Sequence, residues 1–373
     1  MADDSAPRAR RLLGTLRDAW ARWDGDRPPY ALSAYRGYAT PTRALVLARA
    51  HSQRAVAPPE AGHSPWRNLQ GTLARLTHEA LPHARVRCTL GGHTHDVGGD
   101  DEGLVHAWVE LPQPLAPGRW HEATLTLAAA PGNSPAPATA RVLAPAAGAR
   151  FGVVSDLDDT VLQSDVTRLV QAARLVLFEN ARTRLPFPGV AAFYRALAAG
   201  TGDGGAAGNP VFYLSSSPWN LYDVIADFLE ARGLPAGPIL LRDWDLTREL
   251  SRTASFKLAR LRELFDAFPA LPFVLVGDSA QADPEVYAEV ARAYPGRVPA
   301  VYIRDVTRRP ERTAAVAALA ETLAAVGTPL VLADDTLAAA RDAAGRGLIA
   351  PAAVDAVAAD VARDQSAAAP GPG

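Results

Sequence analysis

Residues 151–162 read Phe-Gly-Val-Val-Ser-Asp-Leu-Asp-Asp-Thr-Val-Leu, and the fold turns on how this stretch is read. The short apolar run Gly152, Val153, Val154 has the character of a buried strand in a parallel sheet. It stops in Ser155, Asp156, Leu157, Asp158, Asp159 and Thr160. Acids placed there sit at the carboxyl end of a strand, the end at which open α/β sheets bind ligands. Asp156 and Asp158 are two residues apart where the chain turns, so both can face one site. Crowded carboxylates repel one another, and a hard cation such as Mg²⁺ relieves that repulsion with oxygen ligands. A solvated acidic turn or a helix N-cap uses the same residues, so the rest of the chain has to decide.

Working outward, Val211–Leu214 is a second apolar run, and it ends in Ser215, Ser216, Ser217 and Pro218. Hydroxyls and amides at that place can hold phosphate oxygens, or a serine before proline can start a helix. Residues 239–241 read as a third strand. Residues 255–265 form an amphipathic helical pattern with Lys257 in its first turn. Residues 272–278 are a fourth strand, ending in Gly277 and Asp278 with Asp283 five residues on. Strands at 298–303 and 329–333 then alternate with helices at 310–326 and 335–345. Alternation of this kind argues for a doubly wound parallel sheet, and right-handed crossovers bring its strand tips to one edge. Three of those tips are polar (DLDDT, SSS and GDSAQAD), and a lysine stands between the last two.

A length of 373 residues suggests about two domains. The net charge of −2 gives no global bias toward nucleic acid. Cys88 is the single cysteine, which excludes a disulfide framework and a four-cysteine zinc site. No secretory h-region and no run of about 18–20 apolar residues is present; a cytoplasmic location is expected, with peripheral membrane contact left open. All eight histidines precede residue 130, so chemistry after residue 150 must proceed without histidine from its own domain. Lys257 is the only lysine in a chain that otherwise writes arginine. Ammonium and guanidinium are not interchangeable, so its survival is either chance or a requirement for a compact charge.

Residues 9–23 place Leu13, Leu16, Trp20 and Trp23 on one helical stripe, which suits a membrane interface or a dock on the chain's own domain. Residues 30–142 read as mainly β, with strands at 44–50, 84–90, 104–111 and 122–128 separated by turns, which suggests a sandwich. His93 and His95 form an HxH without a third ligand in view, open to either a metal or a plain surface. Residues 167–182 form a largely apolar helical run near the expected site rim, followed by a helix at 190–198. The domains expected are an amphipathic helix at 1–28, a sandwich-like β domain at 29–148, an α/β domain at 149–350, and a C-terminal helix with a disordered tail at 351–373.

The polar tips suggest a chemistry. A carboxylate can be a covalent nucleophile, and a second one nearby can give and take the proton. Hydroxyl and ammonium donors can hold the phosphoryl oxygens. The DxDxT of Asp156–Thr160, the serine after the second strand, the lysine and GDx4D resemble, in order, the motifs of the haloacid-dehalogenase (HAD)-like phosphatases. That resemblance implies a HAD-like Rossmannoid fold with a small cap. It implies Asp156 as nucleophile, Asp158 as general acid/base, Ser215 on the phosphate and Lys257 bridging nucleophile and phosphate. Thr160 completes the first motif. It also implies a Mg²⁺ held by Asp156, the Asp158 main-chain carbonyl and Asp278, with Asp283, Ser216 and Asp159 supporting.

SDLDDTV, YLSSSPWNLYD (213–223), GDSAQADPEVY (277–287) and YRGY (35–38) resemble more closely the actin-patch-protein-type phosphatidate phosphatases, whose catalytic domain would cover about 150–310. Family activity is Mg²⁺-dependent removal of phosphate from phosphatidate. This chain departs from the family at Phe256, usually His, and at Ala280 and Ala282, usually Gly and His; these positions are expected on the pocket wall. A phosphatase for a soluble sugar or nucleotide phosphate, and a non-catalytic binding module, are the alternatives. Cysteine phosphatase chemistry is disfavoured because residue 94 is Thr rather than Arg, and no GxxxxGK[ST] loop occurs.

Overall fold

The computed structural model describes residues 30–52, 80–128, 135–157, 188–202, 208–242 and 251–368. The stripe at 9–23, the run at 167–182, most of the segment between Asp156 and Ser215 expected to form the small cap, and the far C-terminal tail lie outside the described residues, as do Asp158, Asp159 and Thr160.

The first half builds one mainly antiparallel sheet of eight strands: β1 (Tyr30–Ala34), β2 (Gly37–Ala39), β3 (Arg43–Ser52), β4 (Arg85–Leu90), β5 (His93–Gly98), β6 (Leu104–Glu110), β7 (Arg119–Leu127) and β8 (Ala138–Ala144). The alternation read in the sequence is real: in β4, Val86, Cys88 and Leu90 point in while Arg85, Arg87 and Thr89 point out. Instead of two separately bonded layers, hydrogen bonds link all eight strands, and β5 touches β6, so the sheet curls over its own apolar cluster. β1 and β2 lie end to end along one edge of β3 and are interrupted at Tyr35 and Arg36. β5 carries His93 and His95 opposite Leu90 and Cys88, and among the described residues these histidines belong to no metal-ligand cluster.

The second half is a six-stranded, all-parallel sheet: β9 (Gly152–Asp156), β10 (Val211–Pro218), β11 (Ile239–Arg242), β12 (Phe273–Asp278), β13 (Val301–Arg304) and β14 (Leu330–Ala333). Its order is β11-β10-β9-β12-β13-β14. The chain therefore winds one way from β9 and then crosses back to run the other way from β12. The reversal puts a crevice between the tips of β9 and β12, the usual ligand position in such sheets. Two helix groups accompany the sheet. α3 (Ser251–Ala267), α4 (Asp283–Ala293) and α5 (Pro310–Ala324) pack in succession. α1 (Val190–Ala199), α6 (Thr336–Gly345) and α7 (Ala353–Ala368) form the other group, and α2 (Tyr222–Ala231) follows β10.

The C-terminal helix α7 is built into this domain. α1 starts at a left-handed Gly189 with no side-chain cap of its own. The Asp364 carboxylate accepts the Gly189 N–H at 2.8 Å, and that of Asp360 accepts the Ala192 N–H at 3.1 Å. Carboxylates satisfy the orphan amides and suit the positive end of the helix. Among the described residues no helix is long and apolar enough to cross a membrane.

Candidate active site

β9 and β12 are hydrogen-bonded neighbours, paired from Gly152 with Phe273 to Ser155 with Val276. Asp156 and Asp278 therefore emerge from adjacent strand tips at the point where the winding reverses. On the other side of β9, Asp156 is level with Leu214, which puts Ser215 one residue beyond it. The serines lie inside β10, which continues to Pro218, and α2 begins at Tyr222 after a short 3-10 turn; none of them caps a helix. The Ser215 hydroxyl accepts the Ser217 N–H at 3.0 Å, and both Ser215 and Ser216 are buried.

Lys257 comes to the same place from α3. The helix starts at Ser251, a turn earlier than its apolar pattern suggests, so the lysine sits in the second turn. Its side chain is 2% exposed. The ammonium lies 2.7 Å from Asp156 Oδ1 and 2.8 Å from Asp283 Oδ1, and donates to Gln281 Oε1 at 3.1 Å. A buried lysine needs such partners to stay charged. Oxygens of Asp156, Asp278 and Asp283 lie within 4.8 Å of one another.

The three carboxylates differ in what holds them. Asp283, at the start of α4, is fully buried; Oδ1 meets Lys257 and Oδ2 accepts the Asp278 N–H at 3.2 Å. Asp278 Oδ1 accepts the amides of Ala280 (2.7 Å) and Gln281 (3.2 Å). Burial first, and then the charge of Asp283, push the Asp278 carboxyl up to about 6, against the pull of those amides and Lys257. A carboxylate lifted in this way wants a cation. Oxygen donors in a close cluster are the ligand set of a hard divalent ion, so these residues fit a metal.

Gly277 is the space that lets Asp283 in. A Cβ there would lie 2.5 Å from Asp283 Oδ2 and 2.9 Å from its Cβ. Gly277→Ala is expected to push Asp283 off Lys257 and to lower stability by about 1–3 kcal/mol, the usual cost of overpacking. Urea unfolding of the two proteins measures this.

Residues 151–305 match the sequence model of the family described as "Phosphatidate phosphatase APP1, catalytic domain". This segment is similar to the APP1 catalytic domain. Phosphatidate phosphatase APP1 of Saccharomyces cerevisiae is 28% identical over 157 residues, which cover 41% of this chain and 26% of that protein. An uncharacterised protein of Schizosaccharomyces pombe, C29B5.04c, is 29% identical over 167 residues, 42% of this chain and 25% of its own length. The chain thus spans about a quarter of the curated relatives it matches. A β-glucuronidase of Parabacteroides merdae aligns at a TM-score of 0.27 and 11% identity over 76% of this chain and 35% of its own, a likeness too slight to carry a shared fold.

Around this site, several contributors were not read from the sequence. Gln281 is the third partner of Lys257. Arg312 on α5 holds the 279–282 turn through the carbonyls of Ser279 (2.7 Å) and Gln281 (2.5 Å) while paired with Glu285. Arg304 ends β13 level with Asp278 and lines, with Asp156, Asp278 and apolar groups such as Leu157, Phe193 and Phe228, a cavity of about 150 Å³. Phe256, Ala280 and Ala282 are not among the residues that line that cavity, though the Ala280 amide does bond Asp278. Phe256 instead lies under the Arg260 guanidinium, 5.9 Å from the ring centroid.

Proposed function

We propose that the chain is a Mg²⁺-dependent phosphatase that removes phosphate from phosphatidate through an aspartyl-phosphate on Asp156. One observation carries the reading: a buried ammonium 2.7 Å from Asp156, in a cluster with Asp278 and Asp283 at the sheet's switch point. The choice of a lipid ester rests on the APP1 relationship and is supported by the apolar wall beside the carboxylates.

Lys257 pairs with one oxygen of Asp156 and fixes it, so the other can attack phosphorus. The phosphorus–oxygen bond to the glycerol breaks as the new one forms. Asp158 gives its proton to the departing alkoxide, and diacylglycerol leaves. A water then attacks the phosphoryl group, Asp158 takes its proton, and inorganic phosphate and free Asp156 result. The Ser215 hydroxyl and the neighbouring amides hold the phosphoryl oxygens. Asp156, Asp278 and the Asp158 main-chain carbonyl would hold Mg²⁺, which would supply charge neutralisation for phosphoryl transfer. Asp283 orients Lys257 and the Asp278 backbone. Thr160 keeps the catalytic place, and Asp159 and Ser216 the supporting places, that the motif resemblance implies.

A panel of phosphomonoesters tests the substrate. Phosphatidate in mixed micelles is expected to be turned over faster than sugar or nucleotide phosphates; the reverse order would assign a soluble substrate, and no turnover of any would favour a binding module.

The Asp278 carboxyl sets a pH dependence. Its folded-state value of about 6 lies above the ordinary carboxylate range. Stability from its bound proton is complete below about pH 4 and lost as pH rises through about 6, where the cation takes over. At Mg²⁺ a hundredfold above its Kd, the Tm is expected to rise by about 5 °C near pH 7.5 and by clearly less near pH 5. Calorimetry with and without Mg²⁺ at the two pH values checks this.

A further inference from the structure

The β domain reaches the two elements that bring Ser215 and Lys257 to the site. Its first arm is the break between β1 and β2. Tyr35, 4% exposed, stacks on Trp219 with ring centroids 4.9 Å apart and 22° between planes, and lies 4.4 Å from the Tyr222 ring. The Arg36 N–H donates to the Tyr222 hydroxyl at 2.8 Å. Trp219 and Tyr222 belong to the turn that follows directly on Ser215–Pro218. Tyr38, fully buried, meets Phe212 of β10 edge-on at 5.5 Å, three residues before Ser215. Its second arm is His106 on β6. His106 Nε2 lies 2.9 Å from Glu263 Oε1 and 3.0 Å from the Arg260 guanidinium, which pairs in turn with Glu263 Oε2 at 2.6 Å. Arg260 and Glu263 are on α3, one and two turns past Lys257. Tyr35, Tyr38, Leu45 and Leu47 share one apolar cluster with the α/β domain, so the joint is continuous core, not a surface touch.

We propose that the β domain is part of the phosphatase apparatus: Tyr35 and His106 are positioning residues that hold the serine-bearing turn and the lysine-bearing helix in register with Asp156. The inference rests on the phosphatase reading. A stacked ring fixes both the depth and the tilt of its partner, and the turn it fixes would hold the phosphoryl oxygens. Transition-state donors must be placed to a fraction of an ångström, and small displacements far from the chemistry cost rate. Asp156 and Asp278 stand on β9 and β12, not on the turn that Tyr35 stacks against, so metal binding is expected to survive loss of that stack.

The test uses the full chain. Tyr35→Ala is expected to lower kcat about 10–100-fold at saturating phosphatidate, to speed amide exchange over 213–222, and to leave the Mg²⁺-dependent rise in Tm intact. Tyr35→Phe, which keeps the stack, is expected to remain near wild type. His106→Gln is expected to lower kcat several-fold and to speed exchange along α3; it carries the test if Tyr35→Ala does not fold. A kcat within twofold of wild type in both variants, or unchanged exchange over 213–222 in Tyr35→Ala, overturns the proposal. Wild-type protein that hydrolyses no phosphomonoester while Tyr35→Ala still loosens 213–222 would instead overturn the phosphatase reading and keep the joint.

Discussion

Asp156→Asn is expected to abolish turnover, with a fall on the order of 10⁴-fold, while leaving the fold unchanged. The reaction proposed needs a carboxylate oxygen to form the bond to phosphorus, and an amide of the same shape cannot supply one. The structural cost should be small for a reason visible in the site. Lys257 keeps its second partner, Asp283, at 2.8 Å. Removing one charge also relieves the crowding of three carboxylates within 4.8 Å. The Tm of Asp156→Asn is therefore expected to stay within a few degrees of wild type in the absence of Mg²⁺, and its rise on adding Mg²⁺ to shrink. Circular dichroism and initial rates measure both. Retained turnover would remove Asp156 from the mechanism.

Lys257→Met is expected to be the most destabilising single change in the α/β domain, by about 3–5 kcal/mol, because it strands buried carboxylates without their counter-charge. Methionine keeps the length of the stem and leaves little cavity, so the loss reads the charge. The side chains of Asp156 and Asp283 are 2% and 0% exposed, so water offers little compensation. Lys257→Arg is expected to fail as well, because a planar fork does not occupy a site built around a point charge. Urea unfolding at neutral pH, with activity in parallel, measures both variants. Stability equal to wild type would mean that the ammonium does not carry the cluster.

Much of the α/β domain was legible because its strands are short apolar runs that stop abruptly in polar residues. Gly152–Val154, Val211–Leu214 and Phe273–Val276 could hardly be anything else, and the single lysine stood out against 37 arginines implied by a total of 38 basic residues. The β domain was harder. Tyr30–Ala34 and Gly37–Ala39 are short, contain no clean alternation, and owe their strand character to β3, with which they pair. His93–Gly98 is an exposed edge strand of polar residues held by β4. The serines looked like a helix start because Ser before Pro is locally favourable there, yet pairing with β11 carries the strand as far as Pro218. Gln281, Arg312 and Tyr35 could not be read as site residues, since each reaches its partner through tertiary contact alone. One hint was available for Tyr35: YRGY stood out as family-like in a domain with no catalytic pattern, and it lies at the joint.

The most direct test of the central claim is to trap the phosphoenzyme. Full-length protein is mixed with phosphatidate and Mg²⁺, quenched in acid, treated with hydroxylamine, and mapped by tandem mass spectrometry. An acyl phosphate on a side-chain carboxylate is converted to a hydroxamate, and the account predicts that hydroxamate at Asp156 only, dependent on Mg²⁺ and absent from Asp156→Asn. Turnover with no modified aspartate, or with the modification on Asp278 or Asp283, would contradict it.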